Sequence, residues 1–288
     1  MTMKRAMTVA GSDSSGGAGL QADLKTFQEF GVYGMSALTT IVTMDPKNGW
    51  AHNVFPTPVE VLEAQIETIL SIGIDAMKTG MLGSVEIIEL VARKIDELKL
   101  DKVVIDPVMV CKGEDEVLHP ETAVALRELL VPRATVVTPN LFEAAQLAGT
   151  APIKTIDDMR AAAEKIHALG AKYVLIKGGN KLDHDKAIDL LYDGQEFEIL
   201  ESEKIETTNT HGAGCSSSAA IAAQLAEGKS PREAILVSKD FITEAVRHSW
   251  KMAHTINMGL RKKHKNKTSS LMAAQIHRAA FFAFFVFI

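Results

Sequence analysis

Short runs of aliphatic and β-branched residues recur along this chain, and each stops at glycine, aspartate, proline or lysine before a helix-spaced segment. Met7-Thr8-Val9-Ala10 runs into Gly11-Ser12-Asp13, and Val103-Val104-Ile105 stops at Asp106-Pro107. Thr135-Val136-Val137-Thr138 stops at Pro139-Asn140, and Tyr173-Val174-Leu175-Ile176 at Lys177-Gly178-Gly179. Between them a helix is expected over about 19–30, and Ile88, Val91, Ile95 and Leu98 recur at helical spacing, as do Met159, Ala162, Ile166 and Leu169. Strands this continuously apolar are buried on both faces, which predicts an α/β fold: a mostly parallel sheet with helices on either side. Asp193-Gly194, between 188–192 and 195–200, predicts a hairpin that adds an antiparallel edge. Ser230-Pro231-Arg232-Glu233 opens a capped helix expected to reach about 250. No repeat, linker or compositional break interrupts residues 1–250, which are expected to form a single domain.

In such a sheet, ligands bind where the loops after the strands converge. The polar residues of this chain gather at those ends. The first strand is followed by Gly11-Ser12-Asp13-Ser14-Ser15-Gly16-Gly17-Ala18-Gly19, glycine-rich enough for a ring to lie against backbone, with Asp23 one turn later to hydrogen-bond it. The same loop also reads as an ordinary turn capped by Asp13. It lacks G-x-G-x-x-G spacing, and no Walker A lysine pattern occurs in the chain. Asp106, Asn140 and Glu143 together offer the oxygen ligands that a Mg²⁺–nucleotide takes. Separately, Asp106 can start a turn, and Asn140 with Glu143 makes a capping box that needs no function. Lys177 can neutralise phosphate, with Gly178 and Gly179 admitting backbone contact, or be a solvated edge residue.

Thr210-His211-Gly212-Ala213-Gly214-Cys215 precedes the small residues Ser216-Ser217-Ser218-Ala219-Ala220. Glycines before a small-residue helix expose N–H groups at its positive end, a setting for an anion and above all for a phosphoryl group in transfer. Cys215 in the first turn is expected to have a lowered thiol pKa. His211 caps the loop or touches the nucleotide. Cys111 heads Cys111-Lys112-Gly113-Glu114-Asp115-Glu116, which reads either as a mobile flap closing over substrate or as a turn after a small buried thiol.

A net charge of −5 argues against a nucleic-acid partner, and two cysteines suit a reducing, cytoplasmic setting. The first ten residues are too soon interrupted for a signal peptide, and no run is long enough to span a membrane. The end is unusual. A basic run, Arg261-Lys262-Lys263-His264-Lys265-Asn266-Lys267, leads to a terminus in which five of the eleven phenylalanines fall within the last eight residues. That segment reads as a loosely packed or altered terminus rather than a membrane anchor.

Taken together, these motifs resemble the ribokinase-like superfamily, and within it the bacterial hydroxymethylpyrimidine/pyridoxine kinase group. Those that carry the resemblance are 10–19 with Gln21-Ala22-Asp23-Leu24-Lys25-Thr26, Lys78-Thr79-Gly80-Met81, Asp106-Pro107-Val108-Met109, Thr138-Pro139-Asn140-Leu141-Phe142-Glu143, Lys177-Gly178-Gly179 and 210–215. The resemblance implies a three-layer sandwich and ATP-dependent phosphorylation of a primary alcohol on a small aromatic heterocycle. It implies that Gly11, Asp23, Met44 and Met81 line the substrate, and that Asp106 and Glu143 serve Mg²⁺. Asn140, Lys177, Gly178, Gly179, Asn180, Lys181 and Asp189 would lie at the nucleotide, and a monovalent cation and a homodimer are further expectations. Gly212 and Gly214 would form the anion hole, with Cys215, alone or in relay with Cys111, where many superfamily members carry an aspartate base. Pyrimidine kinases of the group typically place glutamine at position 44. Met44 resembles the pyridoxal-kinase branch, since a thioether packs on a pyridine ring but cannot make a bidentate amide contact. From Lys251 onward the family's closing segment is replaced, which bears on nucleotide affinity and assembly.

Overall fold

The computed structural model describes residues 2–109, 120–251 and 257–258. The first apolar run forms β1 (Arg5–Asp13), whose glycine loop passes into α1 (Gly19–Glu29). β2 (Tyr33–Asp45) and β3 (Ala51–Pro56) follow as a hairpin, then α2 (Val59–Ile72), β4 (Ala76–Thr79), α3 (Val85–Leu98) and β5 (Val103–Ile105). α4 (Pro120–Ala125) continues through a π turn and a 3-10 turn to β6 (Val136–Val137), α5 (Leu141–Ala148) and α6 (Ile156–Ala168). β7 (Tyr173–Gly179), β8 (Lys186–Tyr192) and β9 (Phe197–Glu203) precede α7 (Ala213–Ala226) and α8 (Pro231–Arg247). β10 (Trp250–Lys251) pairs antiparallel with β11 (Asn257–Met258).

One nine-stranded sheet orders these strands β3-β2-β1-β4-β5-β6-β7-β8-β9. The six from β2 to β7 are parallel, while β3 at one edge and the β8–β9 hairpin at the other bring in antiparallel pairing. The expected mostly parallel sheet with an antiparallel hairpin edge is present, and the β2–β3 edge is a second one that the spacing did not reveal. The predicted strand over 135–138 shortens to two residues, and the last long helix ends at Arg247 rather than about 250. Residues 33–83, for which periodicity offered no element, supply β2, β3, α2 and β4.

Side chains alternate across each strand and sort into two cores. Met7, Val9, Val103, Ile105, Val137, Val174 and Ile176 pack with α2, α3, α5 and α6. Ala6, Ala76, Val104, Val136 and Leu175 pack on the other side, against α1, α7 and α8. Helix α7 is made mostly of alanine and serine and is buried from Ser216 to Ala226. Its small residues let it lie close on the sheet, and the Ser238 hydroxyl of α8 donates to the Ser217 carbonyl at 2.8 Å. The chain leaves β1 to one side for β2 and returns to the other for β4, so β1 sits at a switch point where loops diverge and leave a crevice.

Candidate active site

The same alternation that sorts the core also places the polar side chains. Thr8, Lys78, Asp106, Thr138 and Lys177 each stand two residues beyond a member of the α7-facing core; Thr8 lies within β1 beside Lys78 of β4, and the others stand at or near the carboxyl ends of β4, β5, β6 and β7. They form one polar layer beneath the start of α7. Asp106, 2% exposed, accepts from Lys177 Nζ at 3.0 Å and Thr138 Oγ1 at 3.3 Å on one oxygen. Its other oxygen accepts from Ser218 Oγ of α7 at 3.0 Å. Lys177 is therefore a paired interior residue, not a solvated edge one. Burial works against its ammonium, but the Asp106 and Glu143 carboxylates outweigh that and raise its pKa.

The capping reading of Asn140 is realised in full. Its Oδ1 accepts from the Glu143 N–H at 3.0 Å, and Glu143 Oε2 accepts from the Asn140 N–H at 2.8 Å. The same Glu143 is 4% exposed and close to Asp106. Burial, with the Asp106 charge adding to it and Lys177 opposing it, pushes the Glu143 carboxyl up to about 7. Two neighbouring carboxylates suit Mg²⁺, which usually takes one or two from protein and completes its shell with phosphate and water. Among the described residues no group of three or more His, Cys, Asp or Glu could hold a metal alone. The donor set thus fits a metal that arrives with a nucleotide.

Gly212 is the N-cap of helix α7; its φ of +78° suits glycine, and it supplies no side-chain cap for the first turn. A β-carbon there would run into the carbonyl oxygen of Gly17, so the anion loop and the first glycine loop touch backbone to backbone. Lys177 Nζ lies 3.5 Å from where a β-carbon on Gly214 would stand, which brings its charge to the helix start. Cys215 sits in this turn and receives a hydrogen bond from the Gly19 N–H. Its thiol does not match the expectation of a low pKa. Burial pushes it up to about 11, and the Asp23 and Asp106 charges add to the rise, more than Lys78 and the Gly19 N–H offset. Part of its surface remains accessible, but the acidic neighbours and packed protein around it favour the neutral thiol.

Asp23 is also placed differently from its expected role. It is fully buried, and both its oxygens lie 2.9 Å from Lys78 Nζ, with Thr8 Oγ1 donating to one of them at 2.6 Å. A carboxylate so engaged underpins the crevice rather than facing it. Burial disfavours the Lys78 ammonium, but the Asp23 charge outweighs it and holds Lys78 above the ordinary lysine value. The Lys78-Thr79-Gly80-Met81 motif by itself gives Lys78 no role; the structure makes it the partner of Asp23. Its signal was a lone lysine continuing the buried alternation of Ala76.

Gly11 lies against Thr40 and Met81, and Met44 follows Thr40 and Val42 on the same face of β2. These residues stand together beside the loop that follows β1. On the far side, Gly178 has no room for a β-carbon against the Ile188 carbonyl, and the Gly179 N–H donates to Asp189 at 3.2 Å. Asp189 is further held by Lys239 of α8 at 2.7 Å. Asn180 donates to the Ile205 carbonyl at 3.0 Å, and Lys181 is exposed, its charge easing that of Glu143. Cys111 and the rest of its flap lie outside the described residues.

A helix start without a side-chain cap, flanked by a lysine and a thiol and touching a second glycine-rich loop, suits phosphoryl transfer to a small molecule. The sheet order with its two antiparallel edges is that of a ribokinase-like kinase. The chain belongs to the phosphomethylpyrimidine kinase family, whose model matches residues 13–259. It is 63% identical to the pyridoxine kinase of Bacillus subtilis, over 87% of this chain and 93% of the relative. It is 44% identical to the hydroxymethylpyrimidine/phosphomethylpyrimidine kinase of the same organism, over 86% of this chain and 91% of the relative. The crystal structure of an ADP complex of Bacillus subtilis pyridoxal kinase superposes with a TM-score of 0.88 at 60% identity, covering 90% of this chain and 97% of that one. The Staphylococcus aureus pyridoxal kinase in complex with AMP-PCP and pyridoxal gives 0.85 at 49% identity, covering 90% and 93%.

Proposed function

We propose that this protein transfers the γ-phosphoryl group of ATP to the 5′-hydroxymethyl group of pyridoxine, pyridoxal and pyridoxamine, with hydroxymethylpyrimidine as a secondary acceptor. The observation that carries this is the uncapped start of α7, where Cys215 and the Lys177 charge meet the loop that follows β1. The vitamer ring lies between Gly11, Met81 and Met44. Its hydroxymethyl group points at Cys215, whose thiolate accepts the proton as the oxygen attacks phosphorus. The first-turn N–H groups and Lys177 stabilise charge on the phosphoryl oxygens. Asp106 and Glu143 would hold Mg²⁺, which when bound neutralises the phosphates and aligns them. Gly178, Gly179, Asn180 and Lys181 frame the nucleotide, and Asp189 fixes the Gly179 turn through its N–H.

A reading as a dedicated pyrimidine kinase is favoured by the family model and the 44% identical relative, and is opposed by Met44. A coupled ADP-release assay with Mg-ATP against the three vitamers and hydroxymethylpyrimidine separates the two. Turnover is expected with the pyridines, and Met44→Gln is expected to shift the kcat/KM ratio towards the pyrimidine. Silence with all three vitamers would sink the proposal. Assembly as a homodimer is part of this reading, supported by the exposed Ile41, Val54 and Phe55 along the β2–β3 edge, and sedimentation velocity reads it.

A further inference from the structure

The first glycine loop is heavily tethered. Gln21 Oε1 accepts from the Asp13 N–H at 3.0 Å, and its Nε2 donates to Ser12 Oγ at 2.7 Å. Lys25 Nζ reaches the Gly16 carbonyl at 2.7 Å. The Asp13 carboxylate gathers the loop around itself, taking the Ser15 N–H at 2.8 Å, the Ser15 hydroxyl at 2.9 Å and the Ala18 N–H at 2.8 Å. Its fourth partner comes from the other loop: His211 Nε2 lies 2.7 Å from Asp13 Oδ2. Both side chains are largely buried, at 15% and 7% exposed. One residue further on, Gly212 is pressed on Gly17, and three beyond that the Gly19 N–H meets the Cys215 thiol. Burial acts against the Asp13 charge, but the His211 and Ser15 hydrogen bonds outweigh it and hold this carboxyl well below the usual carboxylate range.

We propose that His211 is a positioning residue: the His211–Asp13 contact is a strut that transfers the rigidity of the substrate-side loop to the anion loop. This inference rests on the kinase reading above. Backbone N–H groups stabilise a transition state only when already aimed at where charge develops. Without the strut, the 207–212 segment has to be ordered at the moment of transfer, and the cost falls on turnover rather than on binding of the ring. His211 Nε2 is committed to Asp13, so only the other ring nitrogen is left for a direct nucleotide contact.

Kinetics of the full chain test the strut. His211→Ala is expected to lower kcat by about 10- to 100-fold, the scale of a small misplacement of reacting groups, with pyridoxal KM within about threefold. His211→Gln, whose amide donates to Asp13, is expected to recover most of the loss. Adding Asp13→Asn to His211→Ala is expected to cost less than it does alone, because the partner is already gone. Alkylation of Cys215 by iodoacetamide, followed by peptide mass spectrometry, reads loop order without any substrate; His211→Ala is expected to speed it about fivefold or more. Unchanged kcat and unchanged alkylation, a loss confined to KM, or multiplying effects of the two substitutions would each overturn the strut. If His211→Ala does not fold, a His211→Gln protein with wild-type stability but kcat as low as that of Cys215→Ala overturns it as well. A wild type that turns over no vitamer sinks the kinase reading instead, and the alkylation rates still decide the strut.

Discussion

Cys215 shows how far a single side chain can depart from its local setting. A thiol in the first turn of a helix ordinarily ionises more readily. Here burial and the charges of Asp23 and Asp106 prevail, and the pKa is pushed up to about 11. The resting protein therefore holds the proton at neutral pH. The thiolate fraction grows about tenfold per pH unit below that value, so kcat/KM for pyridoxal is expected to climb from pH 7 towards 10. Cys215→Asp, ionised over that whole range, is expected to give a flat profile. Cys215→Ala is expected to lower kcat by about 10²- to 10⁴-fold with little change in KM. A wild-type profile already flat above pH 7, or full activity in the alanine variant, removes the assignment as base. Asp23 teaches the same lesson: its type and spacing were legible, but its engagement by Lys78 and Thr8 was not.

Among the elements, those with a strong period or a strong cap were legible. Strand β5, helices α3 and α6, the Asp193-Gly194 hairpin and the Ser230–Glu233 capping box stand where their patterns placed them, while β1 and β7 each run three residues past the expected stop, through Asp13 and Gly179. Strand β6 shrinks because only Val136 and Val137 find partners on both sides. Helix α7 was recognised by its glycines and small residues, and those residues explain its depth. Ala222 is fully buried, so Ala222→Leu forces extra volume between α7 and its neighbours. The expected cost is about 1–3 kcal/mol, read as a lower urea midpoint. An unchanged midpoint would mean that α7 packs less tightly than its burial indicates. Strand β3 escaped notice because it is mostly exposed and carries no apolar alternation, whereas β2 and β4, which send Met35, Ala37, Ala76 and Met77 into the core, are interrupted by polar residues such as Ser36, Thr39, Thr40 and Lys78.

Taken as one assembly, the chain joins a family-like body to an unfamiliar ending. The family match stops at residue 259, and the basic and phenylalanine-rich residues beyond 260 lie outside the described residues. We propose that residues 1–250 carry the kinase domain. A chain ending at Leu260 is then expected to keep kcat and its denaturation midpoint while losing the aggregation tendency of an aromatic-rich sequence. A tenfold rise in the KM for Mg-ATP on trimming would instead give the tail a place at the nucleotide.

Alternation and turn chemistry are properties of a few neighbouring residues, so fold class, helices and the ends of several strands could be read directly from residue order. Which loops meet is a property of strand order. That order follows from β1 taking β2 on one side and β4 on the other, and from both sheet faces being buried at once. No short-range period records it. The buried Lys78–Asp23 pair, the Ser218–Asp106 tie and the His211–Asp13 contact all join segments far apart in sequence. Hydrogen bonding and desolvation act across space, so these partnerships, and the ionisation they impose, arise only once the chain has folded.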